Sequence, residues 1–304
     1  MSRQTIRIGA RGSRLSLAQS EGVRRAIARR LGDDNAAVVV AIVTTGDRIQ
    51  DRTLADIGGK GLFTEEIEAA LRDGRIDLAV HSLKDMPTAA SPGLVISAVP
   101  ERADPRDALV GIASLADLPH GARLGTASLR RQAQCLAERP DLRIGVMRGN
   151  VDSRLRKLDA GEADALMLAA AGLVRLDLEG RIGGWIDPLR APPAPGQGAL
   201  AIQTRYEDAN APWLAGLDHP PTGLCVAAER GALEALDGSC RTAIGAYATI
   251  EGDRLQLIVE ALSVDGGRRV RREESVAAPS TAAGAAALGM HVGAAMRAVG
   301  GWAG

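Results

Sequence analysis

Apolar positions in the first 80 residues switch between two periods. Residues 5–9 read as a short strand, after which Val23, Ile27 and Leu31 recur at helical spacing, the stripe of an amphipathic helix. Residues 36–43 form a continuous apolar run rich in valine, the pattern of a strand buried on both faces of a parallel sheet. Thr64 stands where an N-cap is expected, with Glu65 and Glu66 suited to the positive end of the helix that follows. Asp73-Gly74 should end that helix, and residues 76–81 read as another strand. This βαβ rhythm predicts helices covering a mostly parallel sheet.

The rhythm restarts beyond Pro100, Pro105 and Pro119: helix from Ser128 to Pro140, strand 142–147, helix 151–158, strand 163–169. A Pro- and Gly-rich joint at 192–198, which together with Pro100 offers a plausible hinge, leads into strand 199–204. From about Thr222 the pattern changes. A helix at 224–236 precedes strands at 242–250, 255–264 and 269–276, joined by the short turns Gly252-Asp253 and Asp265-Gly266-Gly267. Leu288, Val292 and Met296 mark a last helix, fraying after Gly300. A meander beside two helices is a small α+β domain.

Composition narrows the function. The chain has 304 residues, 46% hydrophobic and 24% charged, enough to bury a sizeable core and to exclude wholesale disorder. Its 37 basic residues cancel 37 acidic ones, so no net field draws it to nucleic acid or membrane. Aromatics, at 2%, are too few for base-stacking platforms. Lys60, Lys84 and Lys157 are the only lysines among the 37 basic residues, which leaves 34 arginines. Cys135, Cys225 and Cys240 have no metal-ligand or disulfide spacing, which points to a reducing compartment. The N-terminus is too polar for a signal peptide and no apolar run is long enough for a membrane span, so a cytoplasmic protein is expected.

Two familiar patterns fail on context. Gly196-Gln197-Gly198-Ala199-Leu200-Ala201 resembles a dinucleotide loop but precedes a strand, and Gly58-Gly59-Lys60-Gly61 lacks the hydroxyl residue of a phosphate loop. His81, His120, His219 and His291 are scattered without ligand spacing, so no metal is expected. His81-Ser82-Leu83-Lys84-Asp85-Met86-Pro87, in contrast, falls at the C-terminal end of a predicted strand, where open α/β sheets place ligands. Arg130 and Arg131 have no acid within four positions, and hydroxyl residues and glycines flank them and Arg148. A carboxylate- or phosphate-rich ligand held by bidentate arginines accounts for this grouping. Cys135 and Cys225 sit in apolar helical surroundings, as buried thiols do. Cys240, between Ser239 and Arg241 in a turn, is the reactive candidate.

The motifs Leu54-Ala55-Asp56-Ile57-Gly58-Gly59-Lys60-Gly61-Leu62-Phe63, Ala79-Val80-His81-Ser82-Leu83-Lys84-Asp85-Met86-Pro87, Gly125-Thr126-Ala127-Ser128-Leu129-Arg130-Arg131-Gln132, Arg148-Gly149-Asn150-Val151 and Gly238-Ser239-Cys240 closely resemble the porphobilinogen deaminase (hydroxymethylbilane synthase) family, in order along almost the whole chain. The chain departs from the family pattern at Asp56, where some members carry Lys, and at Arg241, where others often carry Gln.

The resemblance implies a transferase of tetrapyrrole (heme) biosynthesis that joins four porphobilinogens head to tail, releasing ammonia and hydroxymethylbilane. It implies two lobes similar to type II periplasmic binding proteins plus a C-terminal α+β domain with a three-stranded antiparallel sheet. The expected boundaries are 1–99 with 200–217 for domain 1, 100–199 for domain 2 and 218–304 for domain 3. A dipyrromethane cofactor is expected on Cys240 through a thioether, with Asp85 as the catalytic carboxylate. Lys84, Ser13, Thr126, Ser128, Arg130, Arg131, Arg148, Gly149 and Arg154 match cofactor-holding positions. Arg11, Ser13, Arg148, Arg154 and Arg175 match substrate-holding positions, and Lys60 and Phe63 match a lid loop. A monomer without nucleic-acid or membrane partners is expected. The chemistry is coherent: loss of ammonia from an aminomethylpyrrole leaves a delocalised cation, and a fixed carboxylate stabilises it where water is excluded. The rival reading is a non-catalytic binding module of the same two-lobed shape, which needs neither a reactive Cys240 nor Asp85.

Overall fold

Among the described residues the apolar runs become thirteen strands in three sheets. The computed structural model describes residues 5–45, 64–238 and 242–300. In chain order the strands are β1 (Ile6–Arg11), β2 (Ala37–Ile42), β3 (Leu78–Ser82), β4 (Leu94–Ala98), β5 (Asp107–Val110), β6 (Arg123–Thr126), β7 (Arg143–Val146), β8 (Ala165–Ala169), β9 (Ile182–Trp185), β10 (Leu200–Arg205), β11 (Ile244–Glu251), β12 (Arg254–Leu262) and β13 (Arg269–Ala277). The α-helices are α1 (Arg14–Leu31), α2 (Glu65–Arg72), α3 (Leu129–Glu138), α4 (Val151–Asp159), α5 (Ala170–Val174), α6 (Pro220–Ala235) and α7 (Ala282–Val299).

Two compact units divide the chain: Met1–Arg102 with Ala199–Gly223, and Ala103–Gly198 with Leu224–Gly304. The first carries a five-stranded sheet of order β2-β1-β3-β10-β4. The second carries another, β7-β6-β8-β5-β9, together with the three-stranded sheet β11-β12-β13. The two large sheets repeat one plan. Three parallel strands come first, then one strand that runs against both its neighbours, β10 in one sheet and β5 in the other. The sheets are therefore mixed: each crossing of the chain between units delivers a strand of opposite direction. Two α/β lobes plus a small α+β domain is the fold class expected from the sequence.

Local chemistry explains the elements. Ser13 caps α1 by accepting from the Ser16 amide, and Gly32 closes it in the left-handed region. The α1 stripe buries Val23 and Ile27 against Ile8, Leu78 and Ile202 of the first sheet. Each such side chain contributes about 1.5–3 kcal/mol when fully buried. Thr64 precedes α2 as expected, yet its side chain makes no capping bond, because its backbone is already helical. Beside the C-terminal sheet, α7 comes close to α6: a Cβ at Gly289 would lie 1.9 Å from the Ala228 carbonyl oxygen. Only glycine fits there.

One sequence expectation changes character. The joint at 192–198 reads by composition as a hinge, and in the structure Pro192, Pro193, Pro195, Gly196, Gln197 and Gly198 are buried. The Gly196 amide donates to Glu229 at 2.7 Å, and the Pro192 carbonyl accepts from Gln134 at 3.0 Å. Glu229 also accepts from the Ala248 amide at 2.8 Å, so one buried carboxylate fastens the segment to the C-terminal sheet. No helix among the described residues is long and apolar enough to cross a membrane.

Candidate functional site

In the first unit, β1 and β3 run parallel, so both C-terminal ends arrive at one edge of the sheet. β1 ends at Arg11, whose amide donates to the Ser16 hydroxyl at 3.0 Å. β3 ends at Ser82, and a 3-10 turn over Leu83–Asp85 follows. That turn is pinned from below. The Leu83 amide donates to the Ala199 carbonyl at 3.1 Å, and the Leu83 and Met86 side chains are buried. Asp85 is exposed at its tip. A small cavity beside it is lined by Arg11, Ser13, Ser16, Gln19, His81 and Ser82, among others. Lys84 is half-buried and does not line that cavity.

In the second unit, Ser128 caps α3 by accepting from the Arg131 amide, and Thr126 accepts from the Ser128 amide at 3.2 Å. Arg130 and Arg131 enter from the first turn, and both are buried. The absence of an acid nearby in sequence does not leave them unpaired. Asp107, the first residue of β5, accepts from Arg130 at 2.8 Å and from Arg131 Nε at 3.0 Å. Gln197 donates to the same carboxylate at 2.8 Å. Burial opposes ionisation of Asp107, but the two guanidinium groups and the hydrogen bonds outweigh it and hold the carboxyl well below its usual range. Arg130 and Arg131, without an acid nearby in sequence, find one 23 and 24 residues away: they are anchors of the fold as well as candidate ligand contacts.

The cluster still carries more positive than negative charge, since one carboxylate faces two arginines. Arg130 Nε is buried with no hydrogen-bond partner among the described residues, and so is Arg148 Nε just beyond β7. Unspent buried donors on cations suit an anionic ligand. Next to Arg148, Gly149 has φ +108 and its missing Cβ would lie 2.1 Å from Ser153 Oγ, so glycine alone is accommodated. Asn150 caps α4 through the Ser153 amide, and Arg154 Nε donates to the Gly149 carbonyl at 2.8 Å. Arg175 donates to the Gly198 carbonyl at 2.7 Å, and burial brings its pKa down to about 10.

Arg11, Ser13 and Asp85 are thus brought together on one unit; Thr126, Ser128, Arg130 and Arg131 form one group on the other, and Arg148, Gly149 and Arg154 a second. Cys240, Lys60 and Phe63 lie outside the described residues. Cys135 and Cys225 are buried, as expected, and burial pushes the Cys135 thiol up to about 12, which leaves it inert. Sequence reasoning missed Asp107 and its bond from Gln197, and did not connect His81 with Gln203 and Glu68. No group of metal-binding side chains occurs among the described residues.

Two α/β units with basic and hydroxyl side chains at their strand ends, and an α+β domain after them, define the class: a mixed α/β protein whose strand ends suit anionic groups. Residues 6–212 match the model of the porphobilinogen deaminase dipyrromethane cofactor-binding domain, and residues 223–298 match that of the porphobilinogen deaminase C-terminal domain. The chain belongs to the porphobilinogen deaminase family. It is 60% identical to the porphobilinogen deaminase of Caulobacter sp. (strain K31), over 99% of this chain and 98% of that one. It is 58% identical to that of Phenylobacterium zucineum, over 96% and 95%. A solved TRAP periplasmic solute-binding protein from Desulfovibrio salexigens is a looser likeness, with 10% identity, TM-score 0.42 and 69% of each chain covered.

Proposed function

We propose that this chain condenses four porphobilinogen molecules head to tail into hydroxymethylbilane, releasing one ammonia at each addition, with Asp85 as the catalytic carboxylate and Cys240 as the attachment point of dipyrromethane. The observation that carries the reading is Asp85 itself, exposed on a turn that the buried side chains of Leu83 and Met86 hold down. A carboxylate so held keeps its position while the charge of the substrate changes, and such preorganised groups are worth several kcal/mol in a transition state.

Dipyrromethane supplies, when bound, a nucleophilic pyrrole carbon at which the product chain starts. The residues present fit it: its acidic side chains match the excess positive charge at Arg130 and Arg131 and the unspent Nε groups of Arg130 and Arg148. Lys84, Ser13, Thr126, Ser128, Gly149 and Arg154 complete the cofactor set, while Arg11, Ser13, Arg148, Arg154 and Arg175 hold the carboxylates of the incoming substrate. Asp85 faces the cation that porphobilinogen becomes as ammonia departs, and it orients the pyrrole N–H. Lys60 and Phe63 belong to a lid loop. The domains are 1–99 with 200–217, 100–199 and 218–304, and the enzyme works as a cytoplasmic monomer without nucleic-acid partners.

The test is stoichiometry and attachment together. Purified protein given porphobilinogen should release four ammonia per hydroxymethylbilane, and its intact mass should exceed the sequence mass. Cys240→Ser should return the mass to that of the bare chain and abolish turnover. Loss of the added mass on replacing Cys135 or Cys225 instead would overturn the attachment site.

A further inference from the structure

Behind the Asp85 turn lies a buried chain of side chains that the reaction has not used. His81, on β3, is buried, and its Nε2 lies 3.0 Å from Gln203 Oε1 on the neighbouring strand β10. Gln203 Nε2 in turn donates to Glu68 Oε1 at 3.1 Å. Glu68 also accepts from Ser91 at 2.7 Å and faces Arg72 at 3.3 Å. The direction of this chain follows from chemistry. A carboxylate paired with an arginine has no proton to give, so Gln203 must turn its NH2 to Glu68 and its oxygen to His81. The oxygen can only accept, so His81 carries its proton on Nε2. Nδ1 is therefore the lone-pair nitrogen, and Gln203 is the ring's only hydrogen-bond partner among the described residues. His81 lines the cavity beside Asp85 and Arg11.

We propose that His81 is a tautomer-locked acceptor of the active site, its Nδ1 receiving an N–H of the substrate, either the aminomethyl ammonium or the pyrrole N–H. The proposal rests on the reading of this chain as a porphobilinogen-condensing enzyme. Burial, the largest influence, pushes the His81 pKa down to about 4 against the opposing pull of Gln203, Glu68 and Asp85, with Arg11 adding to the depression. The ring stays neutral at working pH, so the acceptor is always available. An imidazolium there would repel an ammonium and the developing cation alike. Gln203 and Glu68 act as positioning residues, since they reach the cavity only through the ring.

The test is nitrogen NMR of holoenzyme labelled with 15N-histidine. His81, assigned by its loss in His81→Gln, should show the neutral Nε2–H tautomer from pH 8 to pH 5. Two probes separate the donors: ammonium chloride, and an unreactive porphobilinogen analogue with hydrogen in place of the aminomethyl group. A shift of the Nδ1 resonance with ammonium identifies the amine as donor; a shift with the analogue identifies the pyrrole N–H. Glu68→Gln lets the Gln203 amide turn over, so it should mix the tautomers and lower kcat/KM about tenfold, the scale of one hydrogen bond. A proton on Nδ1, titration near pH 6.5, or an Nδ1 resonance indifferent to both probes overturns the proposal. The wild-type yield of hydroxymethylbilane reports separately on the parent reading.

Discussion

Asp107→Asn removes one charge from a site that is almost closed to solvent. Asp107 is 2% exposed, Arg130 3% and Arg131 5%. Breaking a buried ion pair by neutralising one partner costs about 3–5 kcal/mol, because the remaining charge stays buried and uncompensated. Asparagine keeps the shape and one acceptor, so the lower end, about 3 kcal/mol, is expected. At roughly 2–4 °C per kcal/mol for a unit of this size, the melting temperature should fall by about 6–12 °C at pH 7.5. The pH dependence has a definite sign. The Asp107 carboxyl is held below its unfolded value, so its contribution is complete above the ordinary aspartate pKa of about 3.9 and is lost as pH falls toward the folded value. Calorimetry of wild type and variant should therefore give a constant gap from pH 8 to pH 5 that narrows below about pH 4. A gap under about 2 °C at neutral pH, or one that widens in acid, would refute the reasoning.

Asp85→Asn should lower turnover by at least ~10²-fold with a smaller change in KM, because the charge is needed most in the transition state; steady-state kinetics on folded, cofactor-loaded protein checks it, and retention of a tenth of normal turnover refutes it. Arg154→Leu should impair substrate or cofactor binding, and Arg131→Leu should impair binding and also lower the melting temperature, since Arg131 is paired with the buried Asp107. Gly149→Ala should cost stability and binding together, because its φ of +108 and the nearby Ser153 Oγ leave no room for a Cβ.

How far the sequence carried this reading depends on the reach of each signal. Val23, Ile27 and Leu31 announce α1 through a local period, and the β12 and β13 runs are long enough to be read directly. β5, β6 and β9 are four residues each and lie among prolines and glycines, too short for either period to register. The mixed direction of each large sheet was hidden for another reason: β10 returns to β3 across more than a hundred intervening residues, and no local pattern records that. Asp85 and the arginines stood out by motif and composition. Asp107 did not, because it lies 23 residues before Arg130 and its meaning exists only in the fold. The tautomer lock of His81 likewise needs Gln203, 122 residues away.

The central claim is that the product grows while covalently tied to this chain, and denaturing mass spectrometry after mixing with limiting porphobilinogen tests it most directly. The account predicts a ladder above the cofactor-bearing mass, each step one deaminated substrate unit, stopping below four additions as hydroxymethylbilane is cleaved off and the cofactor rings remain. A spectrum with only the starting mass at every substrate ratio, while product accumulates in solution, would contradict it.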